Sequence, residues 1–433
     1  MMRIAATLLA LAALSMSAQG AEGWRMNVIG DQVHGADGVR LRDVNGDGRP
    51  DVAVPFEEGG EVRLYLHPGR ERVRERWPSL LVGRVADPED AVAMDIDGDG
   101  RFEVISSTER QNQKLYIHRQ GADGAWQTVA VASSGGPGPL LTRLCEYRLF
   151  THLMRLLGLE QYCWIGRMPQ RWMYALPLEG ESPAAFIAGS KEHNGSITLF
   201  RKVPGAVLGE WAATHLARVG WVMSIIRFDY DGDGRADVIY SDRRGPDLDG
   251  NGKLDDGVDP RVPGAPRRGI FALRGSGGEW TWHTLAQVDA EIMFMDVGDL
   301  DGDGIPDIVA ATKAGYVLWL RGKGSGRYEI RRIPVPKEGA DLKAVAIGDM
   351  DGDGQNDLVL TVESAAPDGL RVYALLMAPG AQRVTRTVNI GGRRGQKFDR
   401  IELLDIDGDG DLDVLTTEEL EGLGVIWYEN PAR

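Results

Sequence analysis

Six short acidic segments decide the fold of this chain of 433 residues. They read DVNGDGRPD from Asp43, DIDGDGRFE from Asp95, DYDGDGRAD from Asp229, DLDGDGIPD from Asp299, DMDGDGQND from Asp349 and DIDGDGDLD from Asp405. Each has an acid or an asparagine at positions 1, 3, 5 and 9, and glycine at positions 4 and 6. Glycine permits the tight turn that lets these oxygens converge. Such a set of oxygen ligands is what a hard cation such as calcium prefers.

We therefore predict one calcium site in each segment, six in all. The predicted ligands are the side chains at positions 1, 3, 5 and 9 and the backbone carbonyl of position 7. These residues are Asp43, Asn45, Asp47, Arg49 and Asp51; Asp95, Asp97, Asp99, Arg101 and Glu103; Asp229, Asp231, Asp233, Arg235 and Asp237; Asp299, Asp301, Asp303, Ile305 and Asp307; Asp349, Asp351, Asp353, Gln355 and Asp357; and Asp405, Asp407, Asp409, Asp411 and Asp413. Solvated turns are the alternative, and an EF-hand is excluded because position 12 is not glutamate.

The acidic segments belong to a repeat of roughly fifty residues. In each copy a short apolar stretch leads into the segment, and stretches with alternating apolar residues follow it, such as VAVP and EVRLYLH after Asp43. Alternation with β-branched and aromatic residues predicts strands. We name the four predicted strands A to D, with the acidic segment joining A to B. Four-stranded antiparallel units repeated at this period build a β-propeller.

The repeats number seven, although six carry the acidic segment. The long interval after the second segment contains a degenerate copy, residues 173–202, in which Glu179 and Glu181 are the surviving acids. The last repeat ends before its strand D, and residues 23–29 (GWRMNVI) read as an isolated strand. We predict an all-β, seven-bladed propeller in which this N-terminal strand completes the last blade, closing the ring without an open sheet edge.

With its DxDGDG segments between paired strands, the chain resembles the FG-GAP/VCBS repeat family. These are the calcium-bearing repeats of integrin α-chain propeller heads and of many exported bacterial proteins. The resemblance covers nearly all of residues 21–433 and implies a single integrin-like, calcium-stabilised propeller. The family is functionally mixed, since adhesion and ligand binding predominate and some members are sugar-active enzymes.

The first twenty residues read as a secretory signal peptide. Arg3 precedes the apolar run Ile4 to Leu14, and small residues follow at the predicted cleavage site. The run is too short to span a bilayer, which disfavours a membrane anchor, and no later stretch is long enough. We expect an exported protein without a transmembrane segment, secreted or periplasmic, or associated with the cell surface.

The net charge of -15 arises from the acidic segments. Outside their ligand positions, Lys and Arg outnumber Asp and Glu. We therefore interpret the acidity as a requirement for metal rather than as repulsion of acidic partners. The sequence shows no basic stripe interleaved with aromatic residues, so nucleic acid is not an expected partner.

Two insertions interrupt the repeats. Residues 241–268 lie in the turn between strands B and C of the fourth blade and contain a further acidic segment, PDLDGNGKLDDGVDP. Its spacing matches that of the other six, so it is predicted either to bind a seventh calcium ion or to form a solvated loop. The ligands would be Asp247, Asp249, Asn251, Lys253 (through its carbonyl) and Asp255.

The second insertion, residues 134–171, separates the second and third blades. Leu149 and Leu153 belong to a set of apolar residues near helical spacing, which predicts a small helix. This helix packs on the propeller, contacts a partner protein or lies on a membrane surface. Both cysteines of the chain, Cys145 and Cys163, fall here. An even number in an exported chain predicts one disulfide, with two unpaired thiols as the alternative.

The sequence contains no recognisable catalytic constellation. The histidines are scattered, and GxSxG, HExxH and glycine-rich phosphate loops are all missing. The residues at the start of each strand A should lie at the mouth of the central channel. They form a mixed set that identifies neither a general acid nor a general base: Asp37, Glu89, Tyr174, Met223, Met293, Lys343 and Asp399.

We therefore expect a monomeric binding or adhesion scaffold for a macromolecular ligand, either a glycan or a protein. Both insertions leave the ring on the face opposite the acidic segments, so that face is the predicted recognition surface. Two alternatives remain. One is a carbohydrate-active enzyme of the lyase or dehydratase type, which rests on the family resemblance. The other is a structural component of the cell envelope.

Overall fold

The structure, a computed structural model, describes residues 23–110, 112–134, 153, 171–191, 195–245, 268–276 and 279–431. In this part of the chain the strands form seven separate sheets, each built on an antiparallel unit of four strands, and one sheet has a fifth strand. The sheets follow one another along the chain as the blades of a propeller, and the innermost strands of successive blades contact each other. The prediction of an all-β, seven-bladed propeller is confirmed.

Strands A to D have the following bounds in the first three blades. Blade 1 contains Arg40–Arg42, Asp51–Phe56, Glu61–Tyr65 and Ser79–Arg84. Blade 2 contains Pro88–Met94, Glu103–Thr108, Leu115–Gln120 and Trp126–Ala130. Blade 3, the degenerate repeat, keeps all four strands: Arg171–Leu178, Ala185–Lys191, Ser196–Lys202 and Glu210–Arg218.

The other four blades continue the pattern. Blade 4 contains Val222–Phe228, Asp237–Asp242, Gly269–Ser276 and Glu279–Gln287. Blade 5 contains Ile292–Gly298, Asp307–Thr312, Tyr316–Gly322 and Tyr328–Pro334. Blade 6 contains Leu342–Gly348, Asp357–Val362, Val372–Met377 and Val384–Asn389. A short 3-10 helix, Lys337–Gly339, precedes its strand A, and another, Pro379–Ala381, lies between its strands C and D. Blade 7 contains Glu402–Leu404, Asp413–Glu418, Gly424–Glu429 and, as strand D, Arg25–Gly30.

Burial explains why these sequences form blades. Strand B is buried at every residue in blades 1 and 7, because adjacent blades cover both faces of its sheet. Strand D of blade 5 is half exposed, as suits the outer edge of the ring. The hydrophobic core therefore lies between blades, where large side chains such as Trp319 and Trp427 are almost fully buried. Burying a side chain of this kind contributes roughly 2–3 kcal/mol or more.

The N-terminal strand closes the ring as predicted. Arg25–Gly30 pairs antiparallel with Gly424–Glu429, from Arg25 opposite Glu429 to Gly30 opposite Val425. Trp24, just before the strand, is 3% exposed and packs in the core. A further strand was not predicted: Ala132–Ser134 pairs parallel with the start of strand D in blade 3 and gives that sheet a fifth strand.

Several predicted features lie outside the described residues. They are the signal peptide (1–20), nearly all of the helical insertion with Cys145 and Cys163, and the seventh acidic segment from Asp247 to Asp255. They stay predictions.

Deletion of residues 23–30 should destabilise the protein, because strand C of blade 7 would lose its partner and Trp24 its packing. We expect a marked fall in melting temperature and aggregation through the exposed edge. The control is a truncation that removes residues 1–22 and leaves the strand intact. Thermal unfolding and light scattering check this, and equal stability of the two variants would contradict ring closure by this strand.

Candidate functional site

The acidic loops share one backbone conformation, seen clearly in blade 1. The Asp43 carboxylate accepts hydrogen bonds from the backbone N–H groups of Gly46 (2.7 Å) and Gly48 (2.9 Å). Both glycines have positive φ, 75° and 80°, which a residue with a side chain rarely adopts. These bonds, that of Gly48 foremost, lower the pKa of Asp43. The carboxylate at the first predicted ligand position is therefore held ionised and directed toward the backbone of its own turn.

The acid at position 9 joins three parts of its blade. In blade 1, Asp51 Oδ2 accepts from the backbone N–H of Val44 (3.0 Å) and Oδ1 from that of His67 (2.8 Å). The carboxylate thus ties the start of the acidic loop to the end of strand C. We call this pair of bonds the position-9 clamp. The same two bonds occur on Asp307, Asp357 and Asp413.

These clamp carboxylates are buried next to further acids. Burial, reinforced by neighbouring loop aspartates, raises the pKa of Asp357 to about 6 and that of Asp413 to about 7. In blade 4, burial raises the pKa of Asp237 to about 6, and its Oδ2 is buried without a hydrogen bond. A buried carboxylate without a partner requires a cation or a proton. The donor set therefore suits a divalent cation.

The predicted ligands that the structure describes lie in the A–B connections, except the position-9 acids, which are the first residues of strand B. Carboxylate oxygens within 4.8 Å of one another occur, for example, in the sets Asp95, Asp97 and Asp99; Asp229, Asp231 and Asp237; and Asp299, Asp301 and Asp303. Blade 3 differs: its surviving acids form ion pairs with arginines, Glu179 with Arg42 and Glu181 with Arg201. Whether the six loops hold metal stays a prediction.

A second cluster of charge lies at the opposite end of the ring. In blades 2 to 6, strand A contains a bulge at its start, for example between Val222 and Ser224. A bulge re-aims one side chain out of the sheet. The residues at this position are Asp37, Glu89, Met173, Met223, Met293, Lys343 and Asp399.

The prediction for the strand A residue of blade 3 at the mouth is wrong. The register of blade 3 shifts between Trp172 and Tyr174, so the bulged residue is Met173 rather than Tyr174. Tyr174 is buried one residue further along, against Phe294 and Arg40. Blade 3 has lost its acidic segment, so no aspartate marked the position from which to count.

A ring of charged side chains at this mouth was not recognised from the sequence. A charged residue stands at the end of strand B in every blade, as the last strand residue in blade 3 and as the next residue in the other six: Glu57, Glu109, Lys191, Arg243, Lys313, Glu363 and Glu419. We call these seven residues the mouth ring. In each of the six blades with an acidic segment, the residue lies fourteen positions after the first aspartate, as Glu57 follows Asp43. That fixed spacing was a usable signal.

The mouth ring separates charge by blade. Blades 6, 7, 1 and 2 contribute acids, and two sets of buried carboxyls in blades 7, 1 and 2 bring oxygens within 4.8 Å: Asp37, Asp399 and Glu419; and Glu57, Glu89 and Glu109. Blades 3, 4 and 5 contribute cations, and the aromatic ring of Trp221 lies within 4.9 Å of two of them, Lys191 and Arg243, and of the neighbouring Arg244. The mouth is therefore acidic on one side and basic on the other.

Ion pairs connect the two sides. Lys191 bonds Glu109, and Lys313 bonds both Glu363 and Asp341 (2.7 Å to Asp341). The ammonium of Lys343 lies 3.3 Å from Asp399. Although burial opposes it, this ammonium lowers the pKa of Asp399.

Two carboxyls at the mouth have pKa values near or above neutral. Burial is the main cause for Glu89, whose pKa rises to about 8, and for Glu57, whose pKa rises to about 7 beside Glu109. The pKa of Asp37 is also raised, by burial and then by Asp399. The mouth thus contains two pairs of neighbouring carboxyls whose pKa values are shifted in opposite directions. The pKa is raised for Glu57 and lowered for Glu109 in one pair, and raised for Asp37 and lowered for Asp399 in the other.

Comparison with known proteins supports the fold. The FG-GAP-like repeat family matches residues 43–106 and 299–360, so the chain contains FG-GAP-like repeats, in keeping with an integrin-α-like propeller. A search of curated proteins finds no match. Two solved structures of BBS1N in complex with ARL6DN, soaked with mercury and with lead, superpose with TM-scores of 0.52 and 0.51. Each is 8% identical, and the alignments cover 94% of this chain and 96% and 95% of those chains.

The described part of the chain contains no helix with the length and apolar character needed to cross a membrane.

Replacement of Glu89 by glutamine should change how stability depends on pH. Because the folded-state pKa of Glu89 is raised from 4.5 to about 8, the unfolded chain loses this proton first. Its contribution to stability is complete below about pH 4.5 and is lost as the pH rises through 8. E89Q should match the parent near pH 5 and exceed it by up to a few kcal/mol near pH 9.

Chemical unfolding at both pH values, at constant calcium, measures this difference. The control is Glu75→Gln, a change in an exposed glutamate of blade 1, which should show no such dependence on pH. If E89Q is destabilised equally at both values, burial does not control the titration of Glu89.

Proposed function

We propose that the protein is an exported, calcium-stabilised β-propeller that binds a macromolecular ligand, a protein in preference to a glycan, on the face opposite its acidic loops. It acts as a monomer. The mouth ring carries this proposal: seven blades place a charged side chain at one equivalent position around one opening.

The charge at the mouth is better explained by recognition than by stability. Buried ion pairs are often no more stabilising than well-packed apolar residues of similar volume. Loops and turns presented by a rigid scaffold commonly carry binding residues. Glu89 and Lys191, which are 7% and 9% exposed, therefore impose an energetic cost that a binding role would justify.

A protein is favoured over a glycan because of the chemistry of the mouth. An opening with an acidic side and a basic side is complementary to a protein surface of mixed charge. Sugar recognition commonly uses an open aromatic face, but three cations contact the ring of Trp221. The similar solved propeller, BBS1N, was determined in complex with ARL6DN.

Export and calcium form the second part of the proposal. FG-GAP-like repeats are usually found in extracellular proteins, and the first twenty residues resemble a secretory signal. Calcium modules outside the cell commonly bind with dissociation constants of about 10⁻⁴–10⁻³ M. The loops supply converging oxygens, and the pKa values of their buried acids are raised in the absence of a cation.

A sugar-active enzyme of lyase or dehydratase type is the second candidate. The two carboxyl pairs favour it, because neighbouring groups with diverging pKa values are a common acid–base arrangement. Glu57 would be the acid and Glu109 the base. If E57Q and E109Q each abolished the turnover of a polysaccharide while preserving the fold, the enzyme would replace the scaffold. A structural envelope component, the third possibility, would bind no separate ligand at the mouth.

Removal of calcium should destabilise the protein. A cation that binds the native state raises stability by mass action, so chelation lowers the melting temperature. With several loops emptied, we expect a shift of ten degrees or more for sites saturated at millimolar calcium, since each site can add roughly 1–3 kcal/mol. Calorimetry with calcium, with chelator and with calcium restored measures it. An unchanged melting curve together with metal-free purified protein would refute the calcium role.

Ligand binding should depend on exposed charges at the mouth. A protein captured from a screen of secreted proteins should associate several-fold more slowly with R110A and R244A, because exposed interface charges steer association. Their side chains are 52% and 36% exposed. Arg72→Ala, an exposed change in the C–D connection of blade 1, is the control and should leave the rate unchanged. Unaltered rates in the mouth variants would place the ligand elsewhere.

A further inference from the structure

The residue at the end of strand C differs among the acidic loops in a way that changes their charge. We define the position from strand pairing. The residue after the position-9 acid pairs with a residue of strand C. The next residue along the chain from that strand C residue occupies the position. For example, Leu320 pairs with Ile308, so the position in blade 5 is Arg321. In blades 1, 2, 4, 5, 6 and 7 the residues are Leu66, Arg119, Arg274, Arg321, Leu376 and Glu429. We call this the strand-C site.

An arginine at the strand-C site reaches into the loop of its own blade. In blade 5 the guanidinium of Arg321 bonds the carboxylate at position 3, Asp301, and lies 3.1 Å from that at position 5, Asp303. In blade 4, Arg274 lies 2.8 Å from Asp231 and also bonds Asp233. The two arginines thus bridge the same two positions.

Blade 2 shows a related arrangement. Arg119 bonds the position 3 carboxylate, Asp97, and its Nε lies 3.2 Å from the acid at position 9, Glu103. In all three blades the guanidinium contacts carboxylates that are predicted to hold the cation.

Blades 5 and 6 form a matched pair. Their loops, DLDGDGIPD and DMDGDGQND, have the same four acids at positions 1, 3, 5 and 9. Both have the complete position-9 clamp. The strand-C site is Arg321 in blade 5 and the buried Leu376 in blade 6. Among described residues, no ion pair reaches the carboxylates of Asp349, Asp351 or Asp353. The guanidinium in contact with the loop carboxylates is therefore present in blade 5 and replaced by an apolar side chain in blade 6, while the strand D residue paired with the strand-C site is Glu329 in blade 5 and Arg386 in blade 6.

We propose that the arginine at the strand-C site is an internal counter-ion that competes with calcium, so that blades 2, 4 and 5 hold weaker calcium sites than blades 1 and 6. The inference rests on the proposed calcium role and concerns how that role is distributed. A cation that enters the loop of blade 5 must displace the guanidinium from two carboxylates. The displaced +1 charge then remains close to a divalent ion and repels it.

The same arginine preserves the loop when calcium is scarce. Four acids held close together repel one another, and the guanidinium relieves part of this repulsion. Leu376 gives no such relief, so the loop of blade 6 depends more strongly on metal. As calcium falls, blades 2, 4 and 5 would release it first and keep their shape. Blades 1 and 6 would retain calcium longest and would lose more stability when it leaves.

Other arginines near the loops do not alter the comparison of blades 5 and 6. Those at position 7, such as Arg101 and Arg235, pair with the position 5 acid of their own loops. Position 7 in blades 5 and 6 is uncharged, being Ile305 and Gln355. Blade 7 has a different arrangement, since Arg74 of blade 1 reaches both Asp407 and Glu429, and we assign it to neither class.

Reciprocal substitutions in the matched pair test the proposal. Calcium is titrated calorimetrically into chelator-stripped full-length protein, for the parent, R321L and L376R. R321L should convert one weak site into a tight one, with about a tenfold or larger fall in its dissociation constant. L376R should remove one tight site. R321Q keeps a polar side chain of similar length without the charge and should behave as R321L does.

Melting temperatures in chelator provide a second measurement. R321L should melt below the parent in chelator and at or above it in saturating calcium, whereas L376R should melt above the parent in chelator. Arg201→Leu is the control, because Arg201 lies in strand C of blade 3, which lacks the acidic segment. It should leave calcium binding unchanged.

The outcomes separate this inference from the proposed function. If the parent binds no calcium, the calcium role itself fails. If the parent binds calcium but R321L, R321Q and L376R all keep its site affinities, the counter-ion inference is overturned and the calcium role stands. A single class of equivalent sites in the parent would overturn the inference as well.

Discussion

In blades 1, 5, 6 and 7 the acidic loop depends on the position-9 clamp. A buried carboxylate such as Asp51 accepts one backbone N–H from the loop start and one from the end of strand C. It therefore fixes the A–B loop and strand C to the first residue of strand B. Hydrogen bonds to a charged acceptor are stronger than neutral ones, about 1.5–3 kcal/mol each. The same carboxylate is the last predicted ligand of the acidic segment, so the loop geometry and the packing of the blade are set by one side chain.

Because one carboxylate sets both the loop and the packing of its blade, the acidic segment alone predicted several features of each repeat. The acidic segment fixes the A–B turn, the start of strand B and the register of strand A at once. Counting six residues back from its first aspartate gives the strand A residue at the mouth in all six blades that contain the segment, as Asp37 precedes Asp43. The count failed in blade 3, where the segment is missing, and there Tyr174 was chosen in place of Met173.

Other features could not be found in this way. The mouth ring has a fixed spacing from the segment, because strand B has a nearly constant length, but its seven members include both acids and bases and do not resemble a motif. The strand-C site has no fixed spacing, since the B–C connection varies in length and in blade 4 comprises residues 243–268. Its arginines become comparable through the pairing of strands B and C. The strand Ala132–Ser134 is three residues long and gains its partner through tertiary contact, so no local pattern marks it.

The acidic loops and the mouth ring lie at opposite ends of the blades, and their coupling is mechanical, through the strands, rather than electrostatic. Strand A connects them: six residues separate Lys343 at the mouth from Asp349 in the loop of blade 6. At about 3.3 Å per residue this separation is roughly 20 Å. The Debye length at physiological ionic strength is about 8 Å, so exposed charges at the two ends are largely screened from each other. A cation in the loops would therefore change the potential at the mouth very little. Its effect on recognition would come from holding strands A, B and C of each blade together, which keeps the seven charges of the mouth ring in one fixed arrangement.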